Sequence, residues 1–534
     1  MPVTVSFPGV YVEELPSGVR TIAGVATSIT AFVGRAAMGP VDEPDMVHSF
    51  GAFERRFGDL DPGYPMSYAV RDFFANGGAQ ALIVRLYKAA GGEGANDSAR
   101  ITLTNLDLVA ASPGSWGNSL RVRVDHQVAE DVATRYGLSK DDLFNLTVRR
   151  GSDGASETFV NLTVKESPRR VDRVLLSESM LLRVAGTAVL PGTTVPPAHG
   201  APAAGETIWS DDSASTPVAD AGKASDGGAL DTAAYQGSEA GKTGIYALKK
   251  ADLFNLLCIP PDRRDGDTPA AVYSSALDFC VQRRAMLIVD APADWGSAGD
   301  IVANNSEKLT ALGLSGQRAR NAALFFPRLR QPDPKRDGQL DTFAASGAMA
   351  GLMARTDTNR GVWKAPAGVD ASIAGAQGLS VGLTNEENGQ LNPLGINCLR
   401  TFPIIGTVGW GARTLRGADL LADEYKYIPV RRTALYLEES LYRGLQWVVF
   451  EPNDEPLWAQ IRLNAGAFMH NLFRQGAFQG SSPRDAYFVK CDKETTTQND
   501  INLGIVNVVV GFAPLKPAEF VIIKLQQMAG QIEV

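Results

Sequence analysis

The chain has 534 residues, of which 44% are hydrophobic and 21% are charged, and its formal net charge at pH 7 is −8. These proportions are those of a globular protein with a sizeable core, so they exclude wholesale disorder, and the acidic balance excludes a generally basic nucleic-acid coat. The 4 cysteines lie far apart and there are only 4 histidines, which argues against a disulfide framework or a zinc site and predicts neither metal nor cofactor.

The first twenty residues predict an extended arm rather than part of a folded domain. Apolar and polar residues alternate over 3–7, and Pro8-Gly9 then breaks the run. The apolar side chains of this arm are those of Val3, Val5, Phe7, Val10, Tyr11 and Val12. A lone strand at a chain end cannot bury itself, so it must pair with a sheet in this chain or in another.

The N-terminus lacks the basic start and the continuous apolar run of a signal peptide. No apolar stretch reaches the ~18 residues needed to span a bilayer. We therefore expect the protein to be made and folded in the cytoplasm, without direct insertion into a membrane.

Two parts of the chain alternate between short apolar runs and helical patterns. In the first, helices are expected at 50–57 and 68–74 and a buried strand at 81–86. The second is expected to contain strands at 253–259, 285–289 and 322–327 and helices at 270–284, 301–312 and 343–354. This alternation predicts parallel strands with helices on both faces, in one sheet shared by the two parts.

The region between them, 91–250, has a different pattern. Alternating runs at 120–124 and 143–148 predict antiparallel strands with one solvated face. Large apolar residues are scarce over 200–240, and such a stretch cannot build its own core. An inserted β-rich domain with a mobile loop over about 185–245 is therefore expected.

The last hundred residues predict a helix followed by strands. Asn453 to Pro456 form a helix start signal, and apolar residues then recur on one face as far as Arg474. The apolar runs 501–512 and 520–525 are expected to be strands joined across Pro514 and Pro517.

Two short motifs resemble enzyme signatures. GLSVG at 378–382 matches a nucleophile elbow around Ser380, but the residues after it are typical of a polar loop and not of the required helix. GSEAGKT at 237–243 resembles a phosphate loop, but Gln236 stands where the motif needs glycine. Both matches are interpreted as chance.

Charged residues near the predicted sheet offer two further hypotheses. Asp290 and Asp294 follow a buried strand and could hold Mg²⁺, although capping and turn formation explain them more simply. The basic cluster of Arg328, Arg330, Lys335 and Arg336 is interpreted as a solvated rim. No catalytic constellation emerges.

Several long motifs, in order, resemble the tail sheath proteins of contractile phages and of phage-tail-like injection systems. They are PGVYVEELPSG at 8–18, IAGVATSITAFVGRAAMGP at 22–40, AVRDFFANGGAQALIVRL at 69–86, ASPGSWGNSLRVRV at 111–124, GVWKAPAG at 361–368, LNPLGINCLRTFP at 391–403, WGARTL at 410–415 and EYKYIPVRRTALYLEESLYRGLQWVVFEPNDEPLW at 424–458. The similarity fails only across about 185–245.

The resemblance implies a structural subunit that stacks as hexameric rings around an inner tube and contracts to drive that tube through a cell envelope. It implies an α/β (overall α+β) fold whose central domain is subtilisin-like without catalytic residues. It also implies terminal strands that enter the sheets of neighbouring subunits. The C-terminal residues expected in such contacts are Ile505, Val508, Val510, Phe520, Ile522 and Leu525, and Arg462 and Arg474 are expected to face the tube.

The predicted organisation is an arm at 1–20, the first part of the inner α/β domain at 21–90, the insertion at 91–250, the central α/β domain at 251–425 and a C-terminal sheath domain at 426–534. The expected partners are further copies of the chain, the tube protein, and baseplate and terminator proteins, with no nucleic acid. Assembly is expected in the bacterial cytoplasm, followed by incorporation into a phage tail or a released particle. The alternative is an α/β hydrolase or nucleotide-binding enzyme with an inserted domain.

Overall fold

Two separated parts of the chain build one eight-stranded sheet. The computed structural model describes residues 20–91, 96–186 and 194–525, so the predicted arm residues from Val3 to Val12 lie outside the described residues. The first part contributes β1 (Thr30–Gly34), β2 (Asp45–Val47), α1 (Phe50–Phe57), α2 (Pro65–Ala75) and β3 (Ala81–Arg85).

The inserted domain follows β3 and is mainly antiparallel, as predicted. Its elements are β4 (Arg100–Leu103), β5 (Leu106–Ala110), β6 (Leu120–Asp125), α3 (Glu130–Arg135), β7 (Phe144–Arg150), β8 (Ser156–Leu162), α4 (Val171–Glu178), β9 (Leu182–Val184) and β10 (Thr216–Pro217). They form two sheets, β10-β6-β7-β8 and β4-β5-β9, which share one apolar core.

The chain then returns to the central domain. Its elements here are α5 (Thr232–Gln236), β11 (Leu256–Cys258), α6 (Ala270–Gln282), β12 (Met286–Asp290), α7 (Ala298–Ala303), α8 (Asn305–Ala311), β13 (Ala322–Phe326), β14 (Leu329–Asp333), β15 (Gln339–Phe343), α9 (Ser346–Arg360), β16 (Gly378–Leu379), α10 (Asn385–Leu391), β17 (Ile396–Phe402) and β18 (Gly406–Gly409). The helix predicted over 301–312 is interrupted at Asn304, and the one predicted from Phe343 begins at Ser346 because Phe343 ends β15.

The central sheet has the order β18-β17-β13-β12-β11-β1-β3-β2, and its six strands from β17 to β3 are parallel. Thr30 in β1 is paired with Ala81 on one side and with Leu256 on the other. The prediction of one sheet shared across the insertion is therefore confirmed. Ala31 and Phe32 point into different cores on the two faces of the sheet, as buried parallel strands require.

The carboxyl ends of β1 and β11 meet where the order of the parallel strands reverses, which is where open α/β sheets bind ligands. Here Arg35, just after β1, forms an ion pair of 2.5 Å with Asp262. Asp262 also accepts a hydrogen bond of 3.1 Å from the Leu230 main chain, and Tyr235 packs into the same core. The returning chain thus occupies the position that a substrate would take in an α/β enzyme.

The segment after 194 is attached to the insertion, in contrast to the long mobile loop expected over 185–245. The His199 imidazole accepts a hydrogen bond of 3.0 Å from the Val124 main chain, and Thr216 in β10 pairs with Val122 in β6. Ala214 and Ser215 are fully buried. Main-chain and side-chain hydrogen bonds here replace the apolar burial that the sequence lacks. Since 230–250 pack into the central core, the insertion ends near 229 and not at 250.

The C-terminal region consists of α11 (Ile428–Gly444), α12 (Glu455–Arg474), α13 (Pro483–Ala486), β19 (Tyr487–Lys490), α14 (Gln498–Asn502) and β20 (Val509–Phe512). Asp454 caps α12 through the Leu457 N–H, as the start signal predicted. The strand predicted over 501–512 is wrong in its first half, because Thr497 and Asp500 form a capping box that starts α14. Among the described residues, no helix combines the length and apolar character needed to cross a membrane.

The close approach of α2 and α9 explains the run of small residues at the start of α9. A Cβ atom at Gly347 would lie 2.1 Å from the Ala69 carbonyl oxygen, and one at Gly351 would lie 2.3 Å from the Phe73 carbonyl oxygen. Both contacts are to main-chain atoms, which cannot move aside as a flexible side chain can. The two glycines therefore fix the distance between α9 and the helix that covers the same face of the sheet.

Replacing Gly347 by alanine should lower the free energy of unfolding by about 3 kcal/mol, because α9 must shift away from α2 to make room. Chemical denaturation followed by circular dichroism measures this change. Gly389→Ala in α10 is the matched control, since no atom lies within 4 Å of its Cβ position. That control should be neutral or stabilising by up to about 1 kcal/mol. Equal effects of the two substitutions would contradict the packing argument.

Candidate intersubunit surface

The enzyme-like motifs lack the structural context that their chemistry needs. Ser380 follows the two-residue strand β16 and donates its main-chain N–H to the Arg328 carbonyl oxygen. The polar loop predicted after it is wrong over Asn385–Leu391, which form α10 behind a capping box of Thr384 and Glu387. Because that helix begins five residues after Ser380, the sharp strand-to-helix turn of a nucleophile elbow does not form.

The phosphate-loop resemblance is also without support. The helix α5 precedes GSEAGKT, where a phosphate loop requires a buried strand. Gly237 ends that helix, and the Thr243 hydroxyl accepts a hydrogen bond of 2.9 Å from the Ser238 main chain. The loop therefore closes on itself and offers no cradle for a phosphate.

Asp290 and Asp294 do not form a cation site. Asp290 is buried and accepts hydrogen bonds of 2.7 Å from both the main chain and the hydroxyl of Ser346, at the start of α9. Burial raises the pKa of Asp290, and the hydrogen bonds from Ser346 act in the opposite direction. Asp294 is largely exposed. Within 20–91, 96–186 and 194–525, no group of three or more His, Cys, Asp or Glu side chains is placed to hold a metal.

The solvated-rim interpretation of the basic cluster is wrong for Arg328. Its guanidinium is buried and donates to the carbonyl oxygens of Ala291 (2.9 Å) and Gly266 (2.9 Å) and to Asp267 (2.5 Å). It therefore joins the loops at the carboxyl end of the central sheet. Arg330 is exposed, as expected of a rim residue.

The C-terminal segment from 513 to 525 is the most unusual surface feature. Strands β19 and β20 form a two-stranded antiparallel sheet whose inner face packs on α12 and whose two outer edges have no strand partner among the described residues. After β20, Pro514 bridges to Phe478, and residues 515–525 then belong to no helix and have no ladder partner among the described residues. The strand predicted at 520–525 is thus not part of any sheet in the described subunit.

The last described residues are apolar and face solvent. The exposed fractions range from 74% to 94% for Phe520, Val521, Ile522, Ile523 and Leu525. Exposed apolar surface of this kind and a main chain without ladder partners mark an interaction segment. Of the other predicted intersubunit residues, Ile505 is exposed, whereas Val508 and Val510 are partly buried in their own subunit.

A buried ion pair fixes the point at which this segment leaves the subunit. Arg413, whose side chain is 1% exposed, donates to both carboxylate oxygens of Glu519, at 2.8 and 2.6 Å. It also donates to the carbonyl oxygens of Asn392 and Gly417, and the Tyr427 hydroxyl donates to Glu519. Burial alone would raise the pKa of Glu519, but the hydrogen bonds and charge of Arg413 outweigh it and hold that pKa below its usual range.

Sequence reasoning missed this pair. Arg413 lies within the WGARTL motif, which indicates a family resemblance but does not identify a partner for the arginine. The partner is 106 residues away, and no periodicity relates Arg413 to Glu519. Only the folded chain shows that one motif residue anchors the C-terminal segment.

The described chain begins against the helices of the C-terminal region. The Arg20 main chain donates to the Asn464 side chain at 3.0 Å, and its guanidinium lies 4.6 Å from the centre of the Trp447 ring. Ile22 packs in the same apolar cluster as Phe512. Residues 20–25 therefore lie against α11 and α12, although the predicted division assigned them to the inner α/β domain. The N-terminal end of the described chain thus packs against the C-terminal helices, whereas the segment at its C-terminal end is held by Arg413 of the central domain.

The two arginines predicted to face the tube lie in different surroundings. Arg462 donates to the Cys491 carbonyl oxygen and forms an ion pair of 2.6 Å with Glu455, so its charge is already engaged within the subunit. Arg474, at the end of α12, is exposed. The opposite face of α12 is buried as predicted, through Leu457, Ile461, Ala465, Phe468 and Leu472.

Glu519→Gln should lower the free energy of unfolding by about 2 kcal/mol, because the substitution removes the bidentate carboxylate partner of the buried Arg413 and leaves only Asp419, at 3.0 Å, to pair with its charge. In the wild type, the same contribution should be lost as the pH falls through the lowered pKa of Glu519, since protonation removes the charge that Arg413 stabilises. Denaturation at a series of pH values measures both effects.

The difference in stability between Glu519→Gln and the wild type should therefore be largest near neutral pH and shrink in acid. Hydrogen exchange at 515–519 should become faster in the variant, since the segment loses its anchor. A difference that stays constant with pH would contradict the role given to the Arg413–Glu519 pair.

Comparisons with known proteins agree with this geometry. Residues 422–527 match the family model of the phage tail sheath C-terminal domain. No curated protein matches the chain at a significant level.

Among solved structures, the helical sheath of the anti-feeding prophage in its contracted state has 23% sequence identity and a TM-score of 0.56, over 98% of this chain and 100% of that one. The contracted PVC sheath of an extracellular contractile injection system has 21% identity and a TM-score of 0.55, over 98% of each chain. A sheath tail protein from Listeria innocua has 13% identity and a TM-score of 0.57, over 93% of this chain and 96% of that one.

The predicted resemblance is thus confirmed, and it places the chain with structural proteins and not with enzymes. At these identities the solved structures establish the fold, and the family model establishes the C-terminal region. Residues 422–527 match the family model of the phage tail sheath C-terminal domain, and the chain as a whole has the fold seen in solved contractile-sheath subunits.

Proposed function

We propose that this chain is the repeating subunit of a contractile sheath, in which hexameric rings stack around an inner tube and contract to drive it through a target envelope. The observation that carries the proposal is the apolar segment Phe520–Leu525, which has no strand partner among the described residues and lies beyond a two-stranded sheet with open edges. A strand given to a neighbour is a head-to-tail contact, and such contacts build rings or open helical filaments.

The second link in this proposal is the N-terminal arm, from Val3 to Val12. The described chain starts at Arg20 against the same subdomain that carries β19 and β20. We propose that an arm leaving from there pairs with the open sheet edge of an adjacent subunit. Two main-chain links per subunit would hold neighbouring subunits together while their bodies rotate.

The proposal extends to partners and location. The similar solved structures include baseplate assemblies of the anti-feeding prophage, which supports contact between this subunit and a baseplate. A tube protein inside the sheath and a terminator protein at its end are the remaining proposed partners. We propose assembly in the bacterial cytoplasm, followed by incorporation into a phage tail or a released particle.

The central domain is proposed to serve as the rigid body of the subunit, with the subtilisin-like character that the resemblance implies. Its switch point is filled by Arg35, Asp262 and Leu230, which leaves the hydrolase alternative without a substrate site there. Ser380 and the 237–243 loop likewise lack the context needed for catalysis.

Removing residues 1–18 should give a folded subunit that no longer polymerises, because the central sheet lies wholly outside the arm. Sedimentation and negative-stain microscopy measure assembly, and the melting temperature reports the fold. A variant with 1–18 replaced by a Gly/Ser segment of equal length controls for chain length and should behave like the deletion. Long polymers from either variant would contradict the arm's role.

Two C-terminal truncations separate assembly from stability. Ending the chain after Phe520 removes most of the exposed strand but keeps the Arg413–Glu519 pair, so assembly should be lost while the melting temperature stays close to wild type. Ending it after Gly511 removes Glu519 as well and should lower both. Polymers of normal length from the chain that ends after Phe520 would show that its exposed strand is not a link.

Arg474→Glu should weaken association between sheath and tube without harming the subunit fold, if the exposed end of α12 faces acidic groups on the tube. Arg462→Glu is a poorer test because it also breaks contacts with Glu455 and Cys491. Arg55→Glu, on an exposed position of α1, is the matched control and should leave association unchanged. Cosedimentation with the tube measures the effect, and unchanged binding by Arg474→Glu would exclude that face.

A further inference from the structure

We propose that the turn carrying Val449 and Phe450 inserts into an apolar groove of a second copy of this chain. This inference rests on the proposed function and identifies a side-chain contact in addition to the exchanged strands. The turn is defined as residues 449–451. The groove, here called the tail groove, is lined by Trp363, Lys364, Trp410, Leu515, Lys516 and Val521.

Phe450 is held in a conformation that an isolated subunit does not favour. Its backbone φ is +71°, in the left-handed region that residues with large side chains avoid, and its side chain is 103% exposed. Strained positions of this kind persist where the surrounding structure enforces them, and they cluster at functional sites. The Phe450 ring is thus fully exposed to solvent while its backbone is strained, and contacts of the ring within the described subunit do not offset that strain.

Contacts at the base of the turn hold residues 449–451 in place. The Glu451 main chain donates to the Val448 carbonyl oxygen at 3.1 Å, which closes the turn. Trp447 and Val448 pack against the cluster that contains Trp458. The base of the turn is therefore anchored at the N-terminal end of α12, and Phe450 projects from it.

The tail groove has the complementary character. Its volume is about 890 Å³, and its apolar lining comes from Trp363, Trp410, Leu515 and Val521. A groove of this size admits several side chains and lies within the range of ligand-binding clefts. It is bounded partly by the C-terminal segment that Arg413 and Glu519 hold in place.

Charge supports the same pairing. The tail groove is bordered by Arg360, Lys364 and Lys516, and none of these three has a salt bridge to a described residue. Glu451, beside Phe450, is exposed and likewise has no salt bridge to a described residue. Glu519 also lines the groove, but Arg413 neutralises it. An acidic turn with an aromatic tip therefore meets a basic rim around an apolar floor.

The positions of the two surfaces require a second copy. Phe450 precedes the first turn of α12, whereas Gln475 and Gly476, just past its last turn, line the tail groove. The 20 residues of α12 separate them by about 30 Å, at 1.5 Å per residue. Because the turn is anchored, it cannot reach the groove of its own subunit. If each subunit makes this contact with the next one in the same orientation, the contact helps to build a ring or a filament.

Cysteine cross-linking between two separately purified variants tests the contact directly. Phe450→Cys and Ala367→Cys place one thiol on the turn and one in the tail groove, while the native cysteines are all buried. After mixing and mild oxidation, we expect a disulfide-linked dimer that forms only when both variants are present. Ile404→Cys is the matched control for the turn, because Ile404 is also fully exposed (106%) and has a φ of +74°.

Equal cross-linking of Ala367→Cys with Phe450→Cys and with Ile404→Cys would overturn the proposal. Preferential cross-linking of Ala367→Cys to a Tyr11→Cys variant would assign the groove to the N-terminal arm and would also overturn the proposal. The cross-linking experiment detects a dimer and does not require that polymers form. If the wild-type chain forms no polymers yet the specific dimer appears, the proposed function fails and the contact stands; if polymers form without the dimer, the contact fails and the function stands.

Charge exchange and strain relief provide a second test. Glu451→Lys and Lys364→Glu should each reduce polymer formation, and the double variant should restore it, because the pair is then reversed. Phe450→Gly should reduce assembly while leaving the melting temperature unchanged or raised, since glycine adopts the left-handed conformation without strain. Failure of the double variant to restore assembly, or normal assembly by Phe450→Gly, would contradict the proposed contact.

Discussion

The proposed assembly depends on an apolar C-terminal segment that has no strand partner among the described residues. The segment Phe520–Leu525 exposes its side chains, and its main chain has no ladder partner among the described residues. We propose that a strand of another copy, or a sheet edge offered by one, satisfies both requirements at once. In the proposed assembly the other features serve this need: a rigid body carries the segment, an anchor fixes its direction, and the open edges of β19 and β20 receive such segments.

The anchor connects this strand to the rigid body. Arg413 belongs to the central α/β region and holds Glu519, one residue before the exposed strand begins. The ion pair and the neighbouring carbonyl contacts of Arg413 thereby attach the start of this segment to the central domain. The central domain gains its own rigidity from a sheet that joins two distant parts of the chain through β1.

Periodicity in the sequence predicted the parts of the fold that depend on local burial. The helices around Tyr68 and Phe468 and the parallel strands have the predicted type because their apolar spacing is sufficient to define them. Capping chemistry was missed at Thr384 and Thr497, where short polar helices form without an apolar face. The Arg413–Glu519 anchor could not be predicted, because it depends on a tertiary approach that no local pattern encodes.

Hydrogen exchange at 520–525, compared between isolated subunits and assembled polymers, tests the central claim most directly. If these residues pair with a neighbour's sheet, their main-chain amides should exchange freely in the subunit and be strongly protected in the polymer, to the extent seen in core strands. Exchange in β12 (Met286–Asp290), a buried strand of the central sheet, serves as an internal reference. Equally fast exchange at 520–525 in both states would contradict the account, because the strand would then remain unpaired in the assembled sheath.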